Sequence, residues 1–84
     1  MSRFTVVWLR SATDQLAEVW ADSPNQAAVS AAASAIDRIL AETPLDVGVE
    51  IHEGLRRLGI GPVEILYGVS EEDRLVEVAR VKRI

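Results

Sequence analysis

Residues 54–84 leave the least freedom of any stretch in the chain. Val63, Ile65, Tyr67 and Val69 alternate with Glu64, Leu66, Gly68 and Ser70, the period of two of a strand. Gly61-Pro62 marks a turn before this run, and Ser70-Glu71-Glu72-Asp73-Arg74 a polar turn after it. Leu75 to Val81 is apolar at most positions and ends in the basic cluster Arg80, Lys82 and Arg83. Arg56-Arg57 lies on the run before Gly61. The stretch therefore reads as a three-stranded β-meander, with five of the nine basic residues on its first and third strands. The rest of the chain is expected to cover one face of it.

Upstream, residues 3–10 (RFTVVWLR) are dense in β-branched and aromatic side chains and predict a strand. Phe4, Val6 and Trp8 point one way and Thr5, Val7 and Leu9 the other. Both faces are apolar at the centre, so this strand is expected inside the sheet or covered on both sides. Ser11-Ala12-Thr13-Asp14 reads as a helix start capped by Ser11. Ala12, Leu16, Val19 and Trp20 then share one helical face, with Gln15, Glu18 and Asp22 on the other. Ser23-Pro24-Asn25-Gln26 repeats the signal, with Ser23 as cap and Pro24 at the first helical position. A second helix is thus expected from about Pro24 to Glu42, close behind the first. Ala28, Ala32, Ala35, Ile36, Ile39 and Leu40 form its apolar face, and its alanines suit a close approach to neighbours. Thr43-Pro44 ends it, Leu45 to Gly48 is a loop, and Val49 to Glu53 leads into the first meander strand. Gly54, Gly59 and Gly61 permit bends or bulges. The expected fold class is α+β in the order β-α-α-β-β-β, one domain over residues 1–84. It has an antiparallel-rich four-stranded sheet with a helical hairpin packed on one face.

Eighty-four residues suffice for one small core without staples. With no cysteine there is no disulfide, thiol nucleophile or cysteine-bound zinc. The single histidine has no partners spaced for a metal, and no cofactor is expected. No apolar run reaches the length of a membrane span, and Met1 to Thr5 passes straight into a strand pattern without a signal peptide. A cytoplasmic location is the expectation. The net charge of −4 is uneven: residues 1–50 carry three basic and seven acidic side chains, residues 51–84 six of each. Nucleic-acid binders ordinarily carry a basic stripe. The acidic balance opposes strong phosphate binding but leaves room for a small basic site.

In this order the residues resemble the RelE/ParE family of type II toxin–antitoxin toxins. The resemblance is carried by Val7-Trp8, by Leu16 with Val19-Trp20, and by Ala35-Ile36-Asp37 with Leu40 and Pro44. It continues through Gly48, Arg57-Leu58, Gly61-Pro62-Val63, Tyr67-Gly68-Val69 and Asp73-Arg74 with Val76 and Val78. It implies a small toxin neutralised by a cognate antitoxin protein. In RelE-like members, basic residues and a late aromatic or histidine on the concave sheet face cut mRNA on the ribosome, without a metal. ParE-like members inhibit DNA gyrase and cut no RNA. The ribonucleases carry an arginine where this chain has Glu64.

Two readings of function therefore stand, a ribosome-dependent mRNA endoribonuclease and a non-catalytic interaction module on the same fold. Cleavage through the ribose 2′-hydroxyl needs proton transfer and a cation for the developing phosphorane charge. His52 is the proton-transfer candidate, and Arg57, Arg80 and Arg83 are the candidates for holding phosphate. Arg56, Tyr67 and Lys82 are candidates for contact with a partner or RNA. The plainer reading pairs the arginines with Glu50, Glu53, Glu64 and Glu77 across the sheet and makes Tyr67 a core residue. Apolar side chains on the uncovered sheet face call for an antitoxin helix or a second copy of the chain, a homodimer.

Overall fold

The computed structural model describes residues 3–84, so Met1 and Ser2, and their part of the leader reading, lie outside it. Among the described residues, β1 (Thr5–Trp8) is followed by the helices α1 (Arg10–Asp22) and α2 (Gln26–Glu42). Four further strands follow: β2 (Val49–His52), β3 (Leu55–Ile60), β4 (Val63–Ser70) and β5 (Leu75–Arg83). The sheet order is β1-β5-β4-β3-β2. Strands β2 to β5 are antiparallel neighbours, whereas β1 lies parallel to β5, with Thr5 opposite Leu75 and Trp8 opposite Val78.

The α+β class and the helical hairpin are as expected, but the sheet has five strands and is mixed, not four-stranded. The extra strand comes from Val49–His52. Gly54, at φ 77°, reverses the chain within two residues, and its N–H donates to the Glu50 carboxylate at 3.4 Å. One expected strand is therefore a hairpin, β2–β3. β1 is an edge strand, not an internal one. Its Phe4, Val6 and Trp8 side is half-buried against the core, while Val7 and Leu9 on the other side remain 39% and 37% exposed.

The core lies between the helices and the sheet. α2 buries Val29, Ala32, Ile36 and Leu40, one stripe at helical spacing, against Val63, Ile65 and Tyr67 of β4 and Val76 and Val78 of β5. Its cap is Asn25, whose side chain accepts from the Ala28 N–H at 3.1 Å. The expected cap, Ser23, instead accepts from the Asn25 N–H in the turn between the helices. Ser11 does not cap α1 either. That helix starts at Arg10, directly behind β1, with Leu9 at the cap position and no side-chain cap.

Ser11 serves the sheet. β1 pairs with β5 only as far as Val78, which leaves the outer edge of β5 open beyond that point. α1 runs along this edge. Ser11 Oγ donates to the Ala79 carbonyl at 3.5 Å, Gln15 Oε1 accepts from the Val81 N–H at 2.8 Å, and the Arg83 guanidinium donates to the Asp22 carbonyl at 3.5 Å. An unpaired edge would otherwise offer a template for strand addition.

The register of β4 against β5 shifts at the same place. Leu66 faces Arg80 but Tyr67 faces Val78, so Ala79 is an extra residue, a bulge. It reverses the alternation along β5. Val76, Val78 and Val81 are all buried, and Arg80 and Lys82 fall on the face away from α2.

Candidate functional site

The face of the sheet opposite α2 carries two cross-strand rows. In one, Arg57 of β3, Leu66 of β4 and Arg80 of β5 stand directly opposite one another. In the next, Gly59, Glu64 and Lys82 do so. Neighbouring strands are about 4.8 Å apart, so the Arg57 and Arg80 backbones are roughly 10 Å apart with Leu66 between them. These rows floor a groove of about 630 Å³. Gln15, Glu18, Val19 and Asp22 of α1 form its wall, and Ile51 borders it from β2.

The electrostatics of the groove are mixed. Arg57, Arg80, Lys82 and Arg83 line it together with Glu18, Asp22 and Glu64. Lys82 Nζ is 3.4 Å from the Glu64 carboxylate, and Arg83 reaches the carbonyl of Asp22. The side chains of Arg57 and Arg80 have no hydrogen bond or ion pair to any described residue. The groove thus offers two unpaired guanidinium groups on either side of an apolar residue.

Four of the residues singled out in the sequence, Arg57, Arg80, Lys82 and Arg83, are brought together here. His52 is not. It is exposed at the end of β2, opposite Leu55, and does not line the groove. The reason is the β2–β3 hairpin, which carries His52 to the outer rim of the sheet.

Arg56 and Tyr67, expected to contact a partner or RNA, face the helices instead. They are opposite one another on β3 and β4. Tyr67 is fully buried, with its hydroxyl 2.8 Å from the Pro44 carbonyl and 3.0 Å from that of Val47. Arg56 donates to the Val47 carbonyl at 3.1 Å and to that of Leu45 at 3.4 Å. Both side chains fasten the loop after α2 to the sheet. Burial pushes the Tyr67 hydroxyl pKa above its ordinary value, with the Arg56 charge and hydrogen bond partly opposing it.

The α1 wall escapes a reading of the sequence. Gln15, Glu18 and Asp22 share one helical face and read as solvent-facing. Their polar face lies against the rim of the groove because α1 flanks the β5 edge. Leu66 and Ile51 read as ordinary strand residues, and only the register shows that Leu66 stands between two arginines.

No family model and no curated protein matches this sequence. Solved structures do match. A chain of the toxin–antitoxin complex RelBE2 from Mycobacterium tuberculosis superposes with a TM-score of 0.82 at 23% identity, over 100% of this chain and 94% of that one. A chain of the chromosomal ParDE system from P. aeruginosa gives 0.75 at 14% identity, over 98% and 97%. The chain shares the fold of these two chains over nearly its whole length.

Proposed function

We propose that this chain is the toxin component of a type II toxin–antitoxin pair, acting in the cytoplasm and held in check by a cognate antitoxin protein. The observation that carries this is the end-to-end agreement of fold with chains of two toxin–antitoxin complexes, with almost nothing left over on either side. The groove on the open sheet face is its working surface. Two unpaired arginines flank an apolar floor there, an arrangement that suits the binding of a partner.

A second reading, mRNA cleavage, draws on the same unpaired Arg57 and Arg80, which are placed to hold a phosphate. It needs a proton-transfer group from the RNA, the ribosome or the groove carboxylates, since His52 stands outside.

Growth of a bacterial culture after induced expression tests the toxin reading, with soluble protein measured on the same samples. Growth arrest, relieved in an equally soluble Arg57→Gln/Arg80→Gln variant, supports a toxin acting through this groove. Arrest that persists in the variant moves the target contact elsewhere, as for a gyrase-directed toxin. Normal growth with abundant soluble protein overturns the toxin reading in favour of a binding-only module. Cleavage of RNA by ribosomes loaded with the chain separates the catalytic reading from the binding one.

A further inference from the structure

Strand edges are left without a neighbouring strand at three places: along β1, along β2, and on β5 beyond Val78. Two of them are guarded. Ser11 and Gln15 of α1 cover the edge of β5. β2 has a register shift between Glu50 and His52 and carries the Glu50 carboxylate, and bulges and charges of this kind discourage strand addition. β1 has no such guard. Thr5–Trp8 contains no charge, no proline and no bulge.

The outward groups of β1 follow from the inward ones. The Thr5 N–H donates to the Arg74 carbonyl at 2.8 Å and the Leu9 N–H to the Val78 carbonyl at 3.0 Å. Alternate residues of a strand face the same neighbour, so Val7 also faces β5, and the N–H and C=O of Val6 and Trp8 point away from the sheet. Phe4, on that same outer side, donates its N–H to the Ala41 carbonyl at 2.9 Å. Among the described residues, the outward groups of Val6 and Trp8 meet no other main-chain group. Such a row is a template for another strand.

A second copy of β1, laid antiparallel about a two-fold axis at Val7, matches this edge throughout. Val6 then stands opposite Trp8 of the copy and Trp8 opposite its Val6, so every outward N–H and C=O of the pair gains a partner. On the open face Val7 meets Val7 of the copy and Thr5 meets its Leu9, which covers the exposed Val7 and Leu9 side chains. On the helix face each Trp8 lies beside a Val6, a favourable aromatic and β-branched pair. Val6 borders a cleft of about 390 Å³ between β1 and α2, so there is room beside it. The charges agree as well. Arg10 of the copy comes level with Phe4, where α2 ends in Ala41 and Glu42. α2 has no basic residue in its own last turn, and a cation at that end is favoured by the helix dipole. This match of a surface with itself is what a two-fold interface requires.

We propose that β1 is a self-association edge, through which two copies of the chain join along Thr5–Trp8 into one continuous sheet. The axis stands perpendicular to the sheet, so the helices of both copies lie on one face and both grooves open on the other. The proposal goes beyond the toxin reading and does not rest on it.

Sedimentation velocity of the full chain over a wide range of concentration is expected to show a monomer–dimer equilibrium. The chain has no cysteine, so single cysteines report the register. Val7→Cys is expected to join to a second copy of itself under mild oxidation. Its N–H and C=O are turned to β5, which makes the Val7 pair a non-hydrogen-bonded one with Cα atoms about 4.5 Å apart, within disulfide reach. Thr5→Cys is expected to join to Leu9→Cys when the two are mixed, and not to itself. Val6→Pro removes an N–H that β5 does not use, and is expected to abolish the dimer while keeping the circular-dichroism spectrum of the wild type.

A chain that is monomeric at every concentration overturns the proposal and leaves the edge to a strand from another protein. A dimer that survives in folded Val6→Pro overturns it too, as does a Thr5→Cys chain that joins to itself as readily as Val7→Cys. Should Val6→Pro misfold, Val7→Lys decides. It sets like charges directly opposite one another at an exposed position, so loss of the dimer is expected and a dimer that persists overturns the pairing. None of these readouts is growth, so failure here and failure of the toxin reading are separate results.

Discussion

The side-chain oxygen of Gln15 lies 2.8 Å from the backbone nitrogen of Val81 and accepts its hydrogen bond. A helical side chain thus does for β5 what a neighbouring strand does elsewhere in the sheet. Removing it in Gln15→Ala leaves a part-buried donor unpaired and is expected to destabilise the fold by about 1–3 kcal/mol. Gln15→Glu keeps an acceptor and should cost less. Urea unfolding checks this through a lowered midpoint at unchanged slope.

Gly48 has φ 70°, and a Cβ there would meet the Arg57 backbone carbonyl at 2.6 Å and the Tyr67 hydroxyl at 3.0 Å. The obstacle is main chain in the middle of a sheet, which cannot swing aside. Gly48→Ala should therefore cost more than about 2 kcal/mol, backbone strain and clash together. Gly54, at φ 77° with nothing within 4 Å of its would-be Cβ, is the control. Gly54→Ala should cost only the left-handed strain, about 1–2 kcal/mol. The difference between the two melting temperatures reads out the clash.

Tyr67 sets an alkaline limit. Its folded-state pKa is raised, chiefly by burial, above the ordinary value of 10.0. Above pH 10.0 the unfolded chain gives up this proton while the native state keeps it, so the unfolded state binds fewer protons and stability falls as pH rises. Below that pH the contribution is intact. Tyr67→Phe should cost about 1 kcal/mol at neutral pH through the lost hydrogen bond, and its stability should decline less steeply on the alkaline side. Urea midpoints measured on both sides of pH 10.0 give the comparison.

The two serine and asparagine positions before α2 separate cap from turn. Asn25→Ala removes the acceptor for the Ala28 N–H and should cost about 1 kcal/mol. Ser23→Ala removes only an exposed turn contact to the Asn25 N–H and should cost a few tenths of that figure. Equal losses would mean that both residues hold the helix start.

Local pattern reveals much of this fold. The alternation at Val63, Ile65 and Tyr67 announces β4 and its buried side, and the apolar stripe through Ala32, Ile36 and Leu40 announces α2. Such signals depend only on neighbours in the chain. Three features escape them. The parallel pairing of β1 with β5 leaves no mark within Thr5–Trp8, whose two apolar faces read equally well as a central strand. The bulge at Ala79 is a register relation between β4 and β5. The separation of β2 from β3 hangs on Gly54 adopting a left-handed turn, which a glycine permits but does not announce.

The candidate site follows the same division. Its cations are legible as a cluster, because Arg80, Lys82 and Arg83 are adjacent and Arg57 lies on a strand that must pair nearby. Which arginine faces which side is not legible without the register: Arg56 and Arg57 are neighbours, yet one fastens a loop beneath the sheet and the other opens onto the groove. The carboxylates of the α1 wall are hidden for a related reason. A polar helical face reads as solvent-facing whether it borders water or a groove.

The pairing of Thr5–Trp8 with Leu75–Val78 also governs when the chain can become itself during synthesis. β1 is made before both helices and waits for a partner that follows them and three further strands. Until then the apolar stripe of α2 can cover β4 but not β5, and the groove has no third strand. A contact of such long sequence separation is a late event in folding. The floor of the groove is complete only once residues 75–83 pair with β4, which brings Arg80 opposite Leu66 and Lys82 opposite Glu64.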